Sequence, residues 1–156
     1  MNKQQIIRAL EAAHSVAAEA MTAGRHPFGA VLIGPDGSAI LMRQGNEGTV
    51  RHAETELARR AAEQYEADYL VGCTLATNFE PCAMCAGTIY WANIGRVIYG
   101  ASESRLLELT GAHEENPTLN LPCRSVFESG QKTVEVIGPV AEMEAAILKL
   151  HEDFWS

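Results

Sequence analysis

The chain has 156 residues, 47% hydrophobic and 21% charged, and 12 basic against 20 acidic residues leave a net charge of −8. This length suits one domain, 1–156, able to bury a core without disulfide staples, and the composition excludes disorder, collagen and coiled coil. The acidic balance offers no basic footprint for a nucleic-acid backbone, whose phosphates dominate affinity, and so points to a small substrate.

Gln4–Thr22 carries apolar residues at Ile6, Leu10, Ala13, Ala17, Ala20 and Met21. That is a helical period, which Gly24 ends. Ala30–Ile33 reads as a buried strand, Gly34–Gly37 as a turn, and Ala39–Met42 as the returning strand of a hairpin. After a loop over Gly45–Arg51, His52–Gln64 is rich in Ala, Glu and Arg and reads as a helix. Cys73–Thr77 reads as a third strand, Asn78–Pro81 as a loop, and Cys82–Ala92 as a helix. Arg96–Tyr99 is a fourth strand closed by Gly100, Thr133–Ile137 a fifth, and Val140–Phe154 a closing helix. The excursion Ser102–Gly130 is too long for a plain connection. Short helices are expected in it around Ser104–Leu109 and Arg124–Phe127, and long loops at the mouth of a sheet carry specificity. Strands alternating with helices predict an α/β fold, a three-layer α/β/α sandwich with a five-stranded mixed sheet. Apolar runs such as Ala30–Ile33 are too short to span a bilayer, and the first residues lead into an amphipathic pattern rather than a signal peptide. A cytoplasmic protein with no membrane partner is expected.

Two of the four cysteines are spaced C-x-x-C, which favours a metal or redox role over disulfides. His52-Ala53-Glu54 opens one predicted helix, and Pro81-Cys82-Ala83-Met84-Cys85 opens another. Cys82 and Cys85 stand at i, i+3 and share a helix face. The positive potential of a helix N-terminus favours their thiolates. Two thiolates and the imidazole of His52 make a tetrahedral zinc set with one position open, as in catalytic sites. No fourth ligand is at hand: Cys73 falls in a strand and Cys123 in the distal loop, where both read as packing thiols. Water in the open position would have its pKa lowered from about 15.7 towards roughly 7. Glu54, two residues from a ligand, is placed to take up that proton and deliver it elsewhere. A redox pair is the competing reading of C-x-x-C, and it leaves His52 and Glu54 unexplained.

H-x-E followed by P-C-x-x-C is the signature of zinc nucleobase deaminases. The chain resembles the cytidine/deoxycytidylate deaminase-like superfamily from about Gln4 to Trp155. The likeness takes in Pro27-Phe28-Gly29-Ala30, Asn46, Glu80–Cys85 followed by Gly87, Ile89–Ala92 and Val97–Gly100. It implies one zinc per chain held by His52, Cys82 and Cys85, with Glu54 as proton shuttle. It also implies that Asn46 hydrogen-bonds the base, although only five residues part Asn46 from His52, a shorter stretch than the family carries. A turn residue is the alternative reading of Asn46. Phe28 either lines the pocket or packs in the core. His151–Trp155 resembles the tail of fungal-type cytosine deaminases, where an acidic residue and a tryptophan close over the pyrimidine. Asp153 and Trp155 are the matching substrate-contact candidates, with helix-end packing as the alternative.

The implied reaction is hydrolytic deamination, by water, of the exocyclic amino group of a small free nucleobase or nucleoside. Phe28–Ala30 and Ile89–Ala92 resemble bacterial guanine deaminases, which puts a guanine-type purine narrowly ahead of a cytosine-type pyrimidine. Wobble-adenosine editing of transfer RNA shares the same motifs, but the net charge and Glu114-Glu115 argue against a nucleic-acid partner. A non-catalytic zinc-binding module is opposed by Glu54, the residue such modules lose. The resemblance also implies a homodimer.

Overall fold

The computed structural model describes residues 1–111, 113–152 and 154–155. Asn2 and Gln5 form a reciprocal capping box that starts α1 (Lys3–Thr22). Its buried residues, Ala9, Leu10, Ala13, Val16, Ala17 and Ala20, recur at helical spacing on one face. The hairpin follows as β1 (Gly29–Ile33) and β2 (Ile40–Gly45). Asp36 shapes its turn by accepting the N–H groups of Ser38 and Ala39, each at 2.9 Å. Next come α2 (Ala53–Gln64), a short α3 (Ala67–Leu70), β3 (Thr74–Phe79) and α4 (Ala83–Ala92). Asn93, left-handed at φ 70°, ends α4. The chain continues through β4 (Arg96–Ala101), α5 (Glu103–Thr110), α6 (Cys123–Glu128), β5 (Glu135–Ile137) and α7 (Ala141–His151).

The strands lie in the order β2-β1-β3-β4-β5. β1 runs antiparallel to both its neighbours, whereas β3, β4 and β5 are parallel, so the sheet is mixed as the sequence predicts. Alternate strand residues feed two apolar cores. Val31, Ile33, Ala76 and Ile98 face α1 and α7 with Leu10 and Ile147. Ala30, Leu32, Leu75 and Val97 join Leu57 of α2, Ile89 of α4 and Phe127 of α6. That division makes the three layers. Among the described residues no helix is long and apolar enough to cross a membrane.

Several boundaries differ from the sequence reading for side-chain reasons. β3 continues through Asn78 to Phe79, because the buried Asn78 amide finds its partners within the fold. Its Oδ1 accepts the Gly29 N–H at 3.1 Å, and its Nδ2 donates to the Pro27 carbonyl at 3.0 Å. α3 has only four residues and offers no period to read. α7 stops at His151 rather than Phe154. At Gly29, α1 lies directly on the sheet: a Cβ there would stand 2.4 Å from the Ala17 nitrogen and 2.5 Å from the Ala13 oxygen.

His151 explains where α7 ends. Its ring is fully buried, between the rings of Phe28 at 5.1 Å and Phe79 at 4.6 Å. Nε2–H donates to the Pro27 carbonyl at 2.6 Å, and Nδ1 accepts the Trp155 indole N–H at 3.1 Å. Both nitrogens are thereby assigned, and the ring is neutral. Burial holds its pKa down to about 4, with the Pro27 bond opposing and His14 and His26 adding to the depression. The unfolded chain takes up this proton below about pH 6.5, so the stabilisation is complete above that pH and is lost as pH falls towards 4. Urea unfolding is expected to show this group removing about 2 kcal/mol of stability between pH 7 and pH 5. A His151→Phe variant is expected to have a flatter profile over the same interval. An equal slope in both proteins would show that other groups carry the pH dependence.

Candidate functional site

α2 and α4 pack side by side, and both begin at the same place. His52 is the N-cap of α2 and Cys82 the N-cap of α4, yet neither side chain makes a capping hydrogen bond. They turn towards each other, and Cys85, one turn into α4, joins them. Cys82 Sγ lies 3.6 Å and Cys85 Sγ 3.5 Å from His52 Nδ1, with the two sulfurs 3.6 Å apart. A tetrahedral zinc with bonds of about 2.3 Å to sulfur and about 2.0–2.1 Å to nitrogen spaces its ligands about 3.8 Å (S–S) and about 3.5 Å (S–N). The three donors therefore stand at zinc-ligand spacing, and their chemistry suits zinc over hard cations. The Cys82 thiol is held down to about 4, first by its bond with Cys85 and then by His52. The same bond, together with burial, pushes Cys85 up. Cys73 and Cys123 lie elsewhere, fully buried; burial raises both thiols, Cys123 to about 12, as expected of packing residues.

Glu54, in the first turn of α2, is buried beside this cluster. Its Oε1 accepts a short 2.6 Å hydrogen bond from Thr77 Oγ1 on β3, which fixes the carboxyl rotamer. Burial raises its pKa, and the Thr77 bond opposes that rise. A cavity of about 30 Å³, enough for a water, is lined by Glu54, His52 and Cys82 among others. A second cavity of about 340 Å³ adjoins it, and Phe28, His52, Cys82, Glu103 and Asn116 line both. The larger space is the size of a small-molecule site.

The structure brings some of the sequence candidates to this space and sets others back. Asn46, at the end of β2, is buried at the wall of the larger cavity, its backbone N–H bonded to the Phe28 carbonyl at 3.1 Å. Among the described residues its side-chain amide has no hydrogen-bond partner. Phe28 stands at the wall of both cavities, held there because Asn78 and His151 both grip the Pro27 carbonyl before it. Trp155 stands one layer back. It packs on His26 at 4.8 Å and Phe28 at 6.2 Å between ring centroids, and it is not among the described residues lining either cavity. Asp153 lies outside the described residues.

Sequence reasoning passed over four residues. Thr77 holds Glu54, and Asn78 holds the Phe28 turn. Glu80, marked in the sequence only as the first residue of the family-like stretch Glu80–Cys85 and given no role there, lines the inner cavity. Glu103 lines both cavities at the start of α5; burial first, then Cys82, Glu54 and Glu80, pushes its carboxyl up to about 8. The signal for Glu103 was local: Ser102 after the strand-ending Gly100 is an N-cap, which sets Glu103 in a first helical turn.

Residues 3–101 match the model of the cytidine and deoxycytidylate deaminase zinc-binding region. The chain is 37% identical over 156 aligned residues to a probable cytosine deaminase of Schizosaccharomyces pombe, a match that spans 94% of this chain and 90% of that one. It is 39% identical over 104 residues to a guanine deaminase of Bacillus subtilis, spanning 64% of this chain and 66% of that one. A solved structure from work on transfer RNA A34 deaminases, which edit adenosine to inosine at the wobble position, superposes with a TM-score of 0.60 at 30% identity, covering 84% of this chain and 96% of that one.

The purified protein is expected to hold about one zinc per chain. Cys82→Ala and Cys85→Ala are each expected to lose it, as read by elemental analysis of freshly purified, chelator-free protein. Wild-type protein without metal would overturn the assignment of the three ligands.

Proposed function

The chain belongs to the cytidine and deoxycytidylate deaminase family, and from that membership we propose how its own residues divide the work of deamination. The protein is a zinc-dependent aminohydrolase of small nucleobases or nucleosides, turning an exocyclic C–NH₂ and water into C=O and ammonia. The observation that carries this reading is the meeting of His52, Cys82 and Cys85 with the buried carboxyl of Glu54 at one cavity. Zinc held by the three ligands would supply a water acidic enough to give hydroxide near neutral pH. Glu54 accepts the proton released there, passes it to a ring nitrogen of the base, and serves the departing amine in turn. Thr77 occupies Oε1, so Oε2 is the oxygen that carries these protons. Asn46 directs its amide at polar edge atoms of the base, and Phe28 offers a ring against which the base packs.

The walls support a neutral substrate. The carboxylates of Glu114 and Glu115 line the larger cavity, Glu103 beside them is mostly protonated near neutral pH, and among its described lining residues there is no Lys or Arg to receive a phosphate. Negative charge at this wall disfavours nucleotides and a transfer-RNA backbone alike. Within free bases and nucleosides, guanine-type purines remain our first reading: the space of about 340 Å³ has room for two fused rings. Cytosine is the second, favoured by the relative that matches along nearly the whole chain. Trp91 of α4, left 81% exposed, supports a homodimer, since interfaces bury aromatic anchors of this kind.

A panel of guanine, cytosine, their nucleosides and a transfer-RNA anticodon arm, with ammonia or inosine as readout, tests the substrate. Turnover of the anticodon arm alone would overturn the neutral-base reading. Glu54→Gln keeps the shape and removes the proton transfer. It is expected to retain zinc and lower kcat by on the order of 10³. A zinc-loaded variant within about tenfold of wild type would assign the shuttle to another group.

A further inference from the structure

We propose that Glu80 is a positioning residue whose single carboxylate pins both ends of segment 103–123 and thereby sets the substrate-facing wall of the cavity. The proposal rests on the deaminase reading above.

Glu80 follows β3 directly. Its backbone N–H donates to the Ala101 carbonyl at 2.8 Å, continuing the pairing of Phe79 with Ala101. The side chain is buried and reaches away from its own loop. Oε1 accepts the N–H of Glu103 at 3.0 Å, and Oε2 accepts the N–H of Cys123 at 2.9 Å. These are the first residues of α5 and α6. Helix N-termini leave such N–H groups without intrahelical partners. α5 has a second cap, because Ser102 Oγ accepts the Arg105 N–H at 3.2 Å. α6 has none of its own: Pro122 stands at its N-cap and offers no side-chain acceptor. Glu80 fills that role from across the fold.

Between the two pinned ends the chain crosses the cavity. Glu103, Leu106 and Asn116 line the inner space, and Glu114 to Leu119 line the outer one. Among the described residues, the hydrogen bonds of residues 113–121 run within the segment itself, such as Thr110 to Thr118 and Asn116 to Thr118. The exception is the pair His26–Glu115 at 3.3 Å, whose Glu115 is exposed. Leu106 in the core and the His113 ring, 5.2 Å from Trp155, add apolar contacts along the way, but the hydrogen bonds that tie the segment to the sheet lie at its two ends, and both close on one group. Glu80 also stands two residues before Cys82, joined to it through Pro81, whose φ is fixed by its ring. One short, stiff stretch therefore places a metal ligand and the wall that faces the substrate, and the distance between reacting centre and wall depends on it.

A residue that only held the fold together would change the amount of active protein. One that places the wall changes how the base binds. Glu80→Gln keeps the shape but turns an amide NH₂ towards one of the two backbone N–H groups, so one pin is lost; Glu80→Ala loses both. In hydrogen exchange, which needs no substrate, peptides covering 103–123 are expected to exchange about tenfold faster or more in both variants, with α1 unchanged. On the base that wild type turns over, KM is expected to rise by about tenfold in Glu80→Gln and further in Glu80→Ala, while kcat per zinc-loaded chain stays within about threefold. Unchanged exchange, or a loss confined to the zinc-loaded fraction at wild-type KM, would overturn the proposal. Failure of wild type to release ammonia from any base would strike the deaminase reading instead, and exchange would still decide whether Glu80 pins the segment.

Discussion

Two helices that pack side by side, α2 and α4, start at the same level, and this places His52 Nδ1 within 3.6 Å of both cysteine sulfurs. Small residues make the approach possible: Ala58 and Ala61 of α2 share a core with Ala86 of α4, and Thr55 Oγ1 reaches Cys85 Sγ at 3.2 Å across the interface. Both helices then aim their N-termini at one point. The partial positive charge there favours thiolate. Because the N-cap side chains face each other, neither caps its own helix. The sheet completes the arrangement from beneath, with Thr77 of β3 gripping Glu54 and Asn78 of the same strand holding the turn that carries Phe28.

Much of this was legible in the amino-acid order. The helical period of α1, the Gly34–Gly37 turn and the alternation of strands and helices place all five strands and the longer helices within a few residues. The H-x-E and P-C-x-x-C spacings single out the four residues at the centre, since ligand chemistry demands particular side chains at particular intervals. What could not be read is long-range satisfaction. Asn78 looks like a loop residue until Pro27 and Gly29 come round to meet its amide. His151 looks like one more position on a helix until its two nitrogens find Pro27 and Trp155. The tail tryptophan reads from sequence as a lid or as packing, and the fold sets its ring 4.8 Å from His26 and 6.2 Å from Phe28, contacts no sequence pattern announces.

The cavity joins two kinds of wall. One side is built on regular structure: Phe28 before β1, Asn46 after β2, and the starts of α2 and α4. The other is the excursion after β4, which carries the acidic groups and has little regular structure between α5 and α6. On the proposed function, the reacting groups belong to the side built on regular structure, where groups must hold their geometry to a fraction of an ångström. On the same reading, choice of substrate would fall to the other, since loop length and composition can vary without disturbing a core.

Gly29 ties this chemistry to the far face of the sheet. The backbone of α1 rests on it with no room for a single methyl group, and the next residue back is Phe28. The aromatic wall is thus seated against a helix that never touches the cavity itself. Variation in how α1 lies on the sheet, through residues such as Ala13 and Ala17, is a route by which the pocket's shape can be adjusted while every group that meets the base stays the same. On the proposed function, the wall that meets the substrate would thus rest in part on a buried bearing on the opposite side of the β-layer.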